Sequence, residues 1–270
     1  MQILFLVLLF ILGSCFGSFC CCSARRMHLK ETTKEKDHQK LNSRSICLNC
    51  KKQLKWYDNI PIISWLILRG KCRYCHKKIG IAEFLSEIGF GLAFLGLGTT
   101  INIENSSILT WSIFIITLLL TVVLGFLAIY DGIYGELPIA HLLISIALAV
   151  FIAILKECAT FSTSPFSFDH LFSPFASVAI LGGIYFALFM ISKGKWVGDG
   201  DWILGTALGF AISSPWLALI TLFIANILAY LVMAPVVKKS KNKHIHFGPF
   251  MVMAFVITLT FSEFFLALIQ

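Results

Sequence analysis

The sequence predicts an all-α polytopic membrane protein, and three observations carry that reading. Of its 270 residues 58% are hydrophobic and only 13% are charged, whereas a soluble domain of this size carries about 25% charged residues. Several uncharged apolar runs reach the roughly 18–20 residues needed to cross a bilayer. No alternation of polar and apolar residues marks a transmembrane barrel.

The apolar runs place about eight candidate helices at 3–22, 84–101, 109–130, 137–155, 174–192, 202–213, 216–235 and 249–268. With the N-terminus outside, the loops falling inside are 23–83, 131–136, 193–201 and 236–248. They hold 15, 0, 2 and 4 Lys+Arg, which is 21 of the 22 in the chain; only Lys156 falls outside. That is the positive-inside bias in strong form. It fixes orientation and accounts for the net charge of +8 without a nucleic-acid partner. The partner it implies is the lipid bilayer, and the pattern specifies no oligomeric state.

The organisation expected is a first transmembrane helix at 1–22, a cytosolic linker with a small insert at 23–83, and a seven-helix membrane core at 84–270. A signal peptide carries its positive charges ahead of the apolar stretch. Here Met1–Phe19 has none, and Arg25, Arg26 and Lys30 follow it, which suits a retained helix. Leu12–Cys15 loosely matches a lipoprotein cleavage box but lacks the basic segment before it. Gly13 and Gly17 form a GxxxG spacing, read as a close helix-packing face.

Residues 25–45, rich in Lys, Glu, Ser and Thr, read as a mobile linker. Two CxxC pairs follow, Cys47/Cys50 and Cys72/Cys75, separated by 21 residues. Such knuckles wrap four thiolates tetrahedrally around one zinc ion, and the charge bias puts them in the reducing cytosol, where disulfides are rare. A four-thiolate site leaves no position for water, so the metal's role is structural. His76 is read as a surface residue, and Cys20–Cys22 as packing residues at a helix end. Between the knuckles, Ile60–Leu68 is too short to cross a bilayer. It is either a piece pressing the metal lobe onto the membrane surface through Trp56, Tyr57 and Trp65, or the small core of that lobe.

The acids at the inner membrane face carry the chemistry. Asp131 ends the third candidate helix, while Asp199 and Asp201 precede the sixth. Opposite helix directions bring them to one face. Helix N-capping explains Asp199 or Asp201 but not Asp131, whose charge at a C-terminal end opposes the dipole. Two close carboxylates can share a proton, one activating water while the other polarises a carbonyl. The competing functions are a proton relay in a transporter and a zinc-regulated membrane scaffold. A relay places acids near mid-membrane, which these are not. Gly198 and Gly200 are read as making room for substrate backbone beside the acid. Glu87, one turn into the second helix, has no evident solvated role.

At these residues the chain resembles the type IV prepilin peptidases, GxGD-type intramembrane aspartyl proteases of bacterial inner membranes. The N-terminal GxxxGSF and Arg appear as Gly13, Gly17-Ser18-Phe19 and Arg25. The segment between the CxxC pairs appears as Asp58-Asn59-Ile60-Pro61, Ser64-Trp65-Leu66 and Arg69-Gly70. The glutamate opening the second helix falls on Glu87. The first catalytic Asp, seven residues before the Pro of a Leu-Pro pair, falls on Asp131 with Leu137-Pro138. GxGD falls on Gly198-Asp199-Gly200-Asp201, and FGP on Phe247-Gly248-Pro249. Ile139 stands where the family has an acid, and Ile203 where it has Lys.

The resemblance implies an enzyme that removes the short basic leader of prepilins or pseudopilins at the cytosolic face. Cleavage falls after a glycine, with Asp131 and Asp201 as the acid pair. It also implies that many members methylate the new N-terminus with S-adenosylmethionine, although no glycine-rich nucleotide loop is visible here. A GxGD protease acting on another membrane substrate is the neighbouring alternative. Asp199, in the variable position between the glycines, adds negative field or caps the helix, and Glu136 joins the acids that draw a basic leader.

Overall fold

The structure, a computed structural model, describes residues 1–32, 46–47, 49–50, 52–161, 168–194, 197–239 and 246–269. The chain is a multi-pass helical membrane protein that divides into two compact units, Met1–Gly98 and Thr99–Gln270.

The first unit contains α1 (Gln2–Thr32), a 3-10 turn (Trp56–Asn59), α2 (Ile63–Ile67) and α3 (Ile81–Gly98). α1 continues ten residues beyond the expected end at 22, because Ala24-Arg25-Arg26-Met27 and Leu29-Lys30-Glu31 are strong helix formers. The linker expected at 25–45 therefore begins as helix, and its part from 33 to 45 lies outside the described residues. α1 and α3 meet through the GxxxG face. A Cβ on Gly13 would strike the carbonyl oxygen of Phe90, and one on Gly17 that of Ser86. Backbones approach this closely only where side chains are missing.

The second unit contains α4 (Ile108–Tyr134), α5 (Ile139–Phe161), α6 (Phe168–Val178), a π turn (Ala179–Gly183), α7 (Ile184–Ser192), α8 (Asp199–Ile212), α9 (Pro215–Lys239), α10 (Gly248–Thr260) and α11 (Ser262–Ile269). α8 is central: it touches α5, α6, α7, α9 and α10, and Leu204, Ala207 and Leu208 are wholly buried. Its Gly205 and Gly209 form a second small-residue face. A Cβ at Gly205 would lie 2.5 Å from the Leu181 carbonyl oxygen, and one at Gly209 would lie 2.6 Å from Val178 Cα. The helix expected at 174–192 begins earlier, contains Pro174 and passes through the π turn at this contact, the kind of local rewinding that π turns mark.

All eight expected apolar segments form helix, but they do not all span. Among the described residues six helices are long and apolar enough to cross: α1, α3, α4, α5, the stretch Phe172–Ser192 and α9. α10 and α11 make a seventh if they act as one span, although they bend by 75°. α8, with 14 residues, covers about 21 Å, less than the hydrocarbon thickness of about 30 Å.

Candidate active site and metal centre

Asp131 and Asp201 are each buried, at 5% and 7% exposure, and each is held by a backbone N–H at a helix start. Asp131 lies in the last turn of α4, where Gly135 ends the helix in the left-handed region (φ 74°) and donates its N–H to the Asp131 carbonyl at 2.8 Å. Asp131 Oδ2 accepts the Gly248 N–H at 2.9 Å, at the first residue of α10. The unfavourable placement expected for an acid at a helix C-terminus is offset by the N-terminal dipole of a second helix. Asp201 is the third residue of α8, and its Oδ2 reaches back to accept the Gly198 N–H at 3.0 Å. Asp131 and His246 are both near enough to Asp201 to act on its charge, so residues far apart in the chain meet in one neighbourhood. Asp199, by contrast, makes no part of this buried arrangement: its side chain is exposed at the start of α8.

The motif glycines and prolines serve this geometry. A Cβ at Gly200 would lie 2.5 Å from Leu137 Cδ1 and 2.7 Å from Leu137 Cβ. The glycine thus makes room for Leu137 rather than for a substrate backbone, which corrects that reading. Gly198 is different, since a Cβ there would meet only Asp201 Oδ2, at 3.5 Å. Pro138 opens α5, its carbonyl accepting the N–H groups of His141 and Leu142. Gly248 lies against Asp131 Oδ2 with 2.8 Å for an added Cβ, and Pro249 faces Gly132.

Three neighbours had no place in the sequence reading. His246 Nδ1 lies 3.6 Å from Asp131 Oδ1 and its ring sits over Gly135. Tyr185, buried, feels the charge of Asp201 and receives a 3.4 Å hydrogen bond from Asn226 Nδ2. A histidine immediately before Phe247-Gly248-Pro249, and an Asn and a Tyr within apolar helices, were the available signals.

The four cysteines of the first unit converge. The Sγ atoms of Cys47, Cys50, Cys72 and Cys75 all lie within 4.8 Å of one another, and Cys47 Sγ is 3.8 Å from Cys75 Sγ. A tetrahedral zinc with Zn–S of about 2.3 Å sets sulfurs about 3.8 Å apart, so the donor set and spacing fit that ion. All nine cysteines are free, and the cluster does not include His76. Each knuckle is a small loop closed by a bridge, Ile46 with Gln53 and Lys71 with Lys78. The backbone N–H of Lys77 and the Asn49 amide pull the Cys75 thiol down to about 6, whereas the Cys50 thiol is pushed up to about 11, so Cys75 is the first of the four to give a thiolate.

The segment between the knuckles supports this lobe. Asp58, buried, accepts the Lys55 N–H at 3.2 Å and Arg73 Nε at 2.8 Å, tying the 3-10 turn to the second knuckle. Trp65 stacks on Phe84 of α3 at 4.3 Å. Glu87 Oε2 accepts the Ile62 N–H at 2.7 Å and bonds the Ser18 hydroxyl. Ile62 has φ 62°, a conformation a β-branched residue adopts only when surroundings hold it. Glu87 is therefore the clamp that holds Ile62. The face carrying Trp56, Ile63, Leu66 and Ile67 is exposed, so the segment is both a core for the lobe and an apolar outer face.

The model of the bacterial peptidase A24 N-terminal domain matches residues 11–101. The chain is 36% identical over 91 residues to a prepilin leader peptidase/N-methyltransferase of Vibrio cholerae serotype O1, covering 33% of this chain and 36% of the relative. It is 42% identical over 91 residues to one of Myxococcus xanthus, covering 34% and 25%. It is 30% identical over 237 residues to one of Neisseria gonorrhoeae, covering 81% of this chain and 71% of the relative. The aligned part is thus only about a third and a quarter of the first two relatives' length. No solved structure matches.

Proposed function

The chain belongs to the prepilin leader peptidase/N-methyltransferase family, and from that premise we propose that it is an aspartyl endopeptidase of the bacterial inner membrane. It removes the short basic leader of a prepilin or pseudopilin, after a glycine, at the cytosolic face. The observation that carries the reading is the pair Asp131 and Asp201, both buried, each gripping a helix-start N–H, with the charge of one acting on the other.

Two carboxylates that face one substrate carbonyl hold one proton between them in this reading. The ionised member takes a proton from water as the oxygen attacks the scissile carbonyl. The protonated member donates to the carbonyl oxygen, giving a neutral tetrahedral intermediate. Collapse breaks the C–N bond: the leaving amine takes the proton first removed from water, and the carboxylate that gave its proton recovers one from a hydroxyl of the intermediate, restoring the singly protonated pair. The fixed N–H donors at Gly198 and Gly248 keep both carboxylates oriented through the cycle.

The four cysteines hold a structural zinc ion that cross-links the two knuckles and takes no part in the cleavage. N-methylation of the new N-terminus by S-adenosylmethionine follows from the family alone, and no cleavage step depends on it. The test is leader removal from a co-expressed prepilin in membranes. Asp131→Ala and Asp201→Ala each abolish it, while Asp199→Ala retains most of it. Normal cleavage by either of the first two would sink the dyad.

A further inference from the structure

Lys156 is the single Lys or Arg that the charge bias leaves outside, and neither the acid pair nor the metal lobe uses it. It lies near the end of α5, and its Nζ donates to the carbonyl oxygens of Ala211 at 2.6 Å and Ile212 at 3.2 Å. These are the last two carbonyls of α8.

The end of a helix leaves four carbonyls without intrahelical partners, and within hydrocarbon no water is available to satisfy them. α8 is about 9 Å too short to cross. With the Asp199 and Asp201 end at the cytosolic face, as the peptidase reading has it, the C-terminal end is the one that falls short of the opposite face. Every carbonyl there has a donor. Gly209 receives the Ser213 N–H at 3.0 Å and Phe210 the Ser213 hydroxyl at 2.6 Å. Ala211 and Ile212 receive the Lys156 ammonium. Ser213 receives the Ser173 hydroxyl at 2.7 Å, and Ser214 the Ala218 N–H at 2.9 Å. A recess of about 350 Å³, lined by Lys156, Glu157, Thr160, Ser173 and Ser213, opens beside this end. Hydroxyls alone would fill the hydrogen bonds, but only a cation also complements the negative end of the helix dipole.

We infer that Lys156 is a positioning residue whose ammonium caps the C-terminal end of α8 and so fixes the place at which the opposite end holds Asp201. The inference rests on the peptidase reading for its functional consequence, though not for the cap itself. α8 is seated along its length by Gly205 and Gly209 against the π turn and α6. A change at one end is therefore carried along a stiff 14-residue rod to the other.

The test uses the full chain in lipid nanodiscs, comparing the parent with Lys156→Met, Lys156→Gln and Lys156→Arg. One readout is leader cleavage of a prepilin peptide; the other is amide hydrogen exchange over 199–213. The expected result is a fall in kcat of at least tenfold for Lys156→Met, with KM within about twofold and zinc content unchanged. Exchange becomes at least tenfold faster at both ends of α8. Lys156→Gln, which keeps a donor without charge, shows an intermediate loss, and Lys156→Arg returns kcat to within threefold of the parent. A Lys156→Met protein with parental kcat overturns the proposal, and so does an arginine variant as impaired as the methionine one. If the methionine variant does not accumulate, the glutamine variant carries the same criteria, a parental kcat overturning the proposal. If the parent itself does not cleave, the peptidase reading falls and exchange alone decides the cap, parental protection in the variant overturning it.

Discussion

Replacing Gly200 by alanine is the most informative small perturbation of the proposed site. The added Cβ would lie 2.5 Å from Leu137 Cδ1, 2.7 Å from Leu137 Cβ and 3.1 Å from Leu137 Cγ. Rotating the leucine relieves the first contact but not the second, since its Cβ is fixed by the backbone. That backbone has little freedom, because Leu137 precedes Pro138, which restricts its ψ. Two residues earlier the chain is tied to Asp131 through the Gly135 N–H. The strain therefore separates the start of α8 from the end of α4, the two places that bear the acids. Overpacking of this kind costs about 1–3 kcal/mol. Expressed wholly in the barrier at 1.36 kcal/mol per tenfold, that is a roughly 5- to 160-fold loss of kcat. Helix propensity works the other way, since alanine is favoured over glycine by about 1 kcal/mol, so a loss cannot be blamed on a weakened helix. The assay is leader-cleavage kinetics for Gly200→Ala, Leu137→Ala and the double variant. The leucine truncation removes the Cδ1 and Cγ contacts, and a coupling of about 1 kcal/mol or more should appear in the cycle. Parental kinetics for Gly200→Ala, or strict additivity of the two changes, would refute the reasoning.

Two further outcomes concern the first unit. Glu87→Ala leaves the half-buried Ile62 N–H without its acceptor and costs about 1 kcal/mol, lowering the thermal unfolding midpoint, whereas Glu87→Gln keeps an acceptor and stays near the parent. Cys72→Ser reduces zinc from about one equivalent to less than half on metal analysis, because a four-thiolate site needs all its ligands; retention of a full equivalent would count against the cluster.

Much of this was legible in the sequence because the membrane leaves so few options. Apolar runs and paired CxxC spacing each report one dominant physical constraint, and they mark the helices and the cysteine cluster that the structure contains. Asp131 and Asp201 stood out in the sequence because carboxylates bordering hydrocarbon require a purpose, and the structure finds both buried on helix-start N–H groups. What escaped depended on partners far along the chain. Glu87 stood out as an acid without a role, but its partner Ile62 is an ordinary residue until its φ of 62° is known. Lys156 looked like an exception to a rule, although the carbonyls it serves lie 55 and 56 residues away. The shortness of α8 was visible in principle: Asp201 bounds it on one side and Ser213-Ser214-Pro215 on the other. Counting apolar segments as spans concealed it. Gly200 was read by its lack of a side chain, correctly, but what fills the space is Leu137, and spacing alone could not say so.

The central claim is that two buried aspartates from α4 and α8 act as one catalytic unit. It is tested most directly by the isosteric variants Asp131→Asn and Asp201→Asn, with mass spectrometry of a prepilin substrate after incubation with each purified full-length protein. The account predicts cleavage after a glycine by the parent and by Asp199→Asn, and no product with either dyad variant. Product formation at the parental rate by Asp131→Asn or by Asp201→Asn would contradict it.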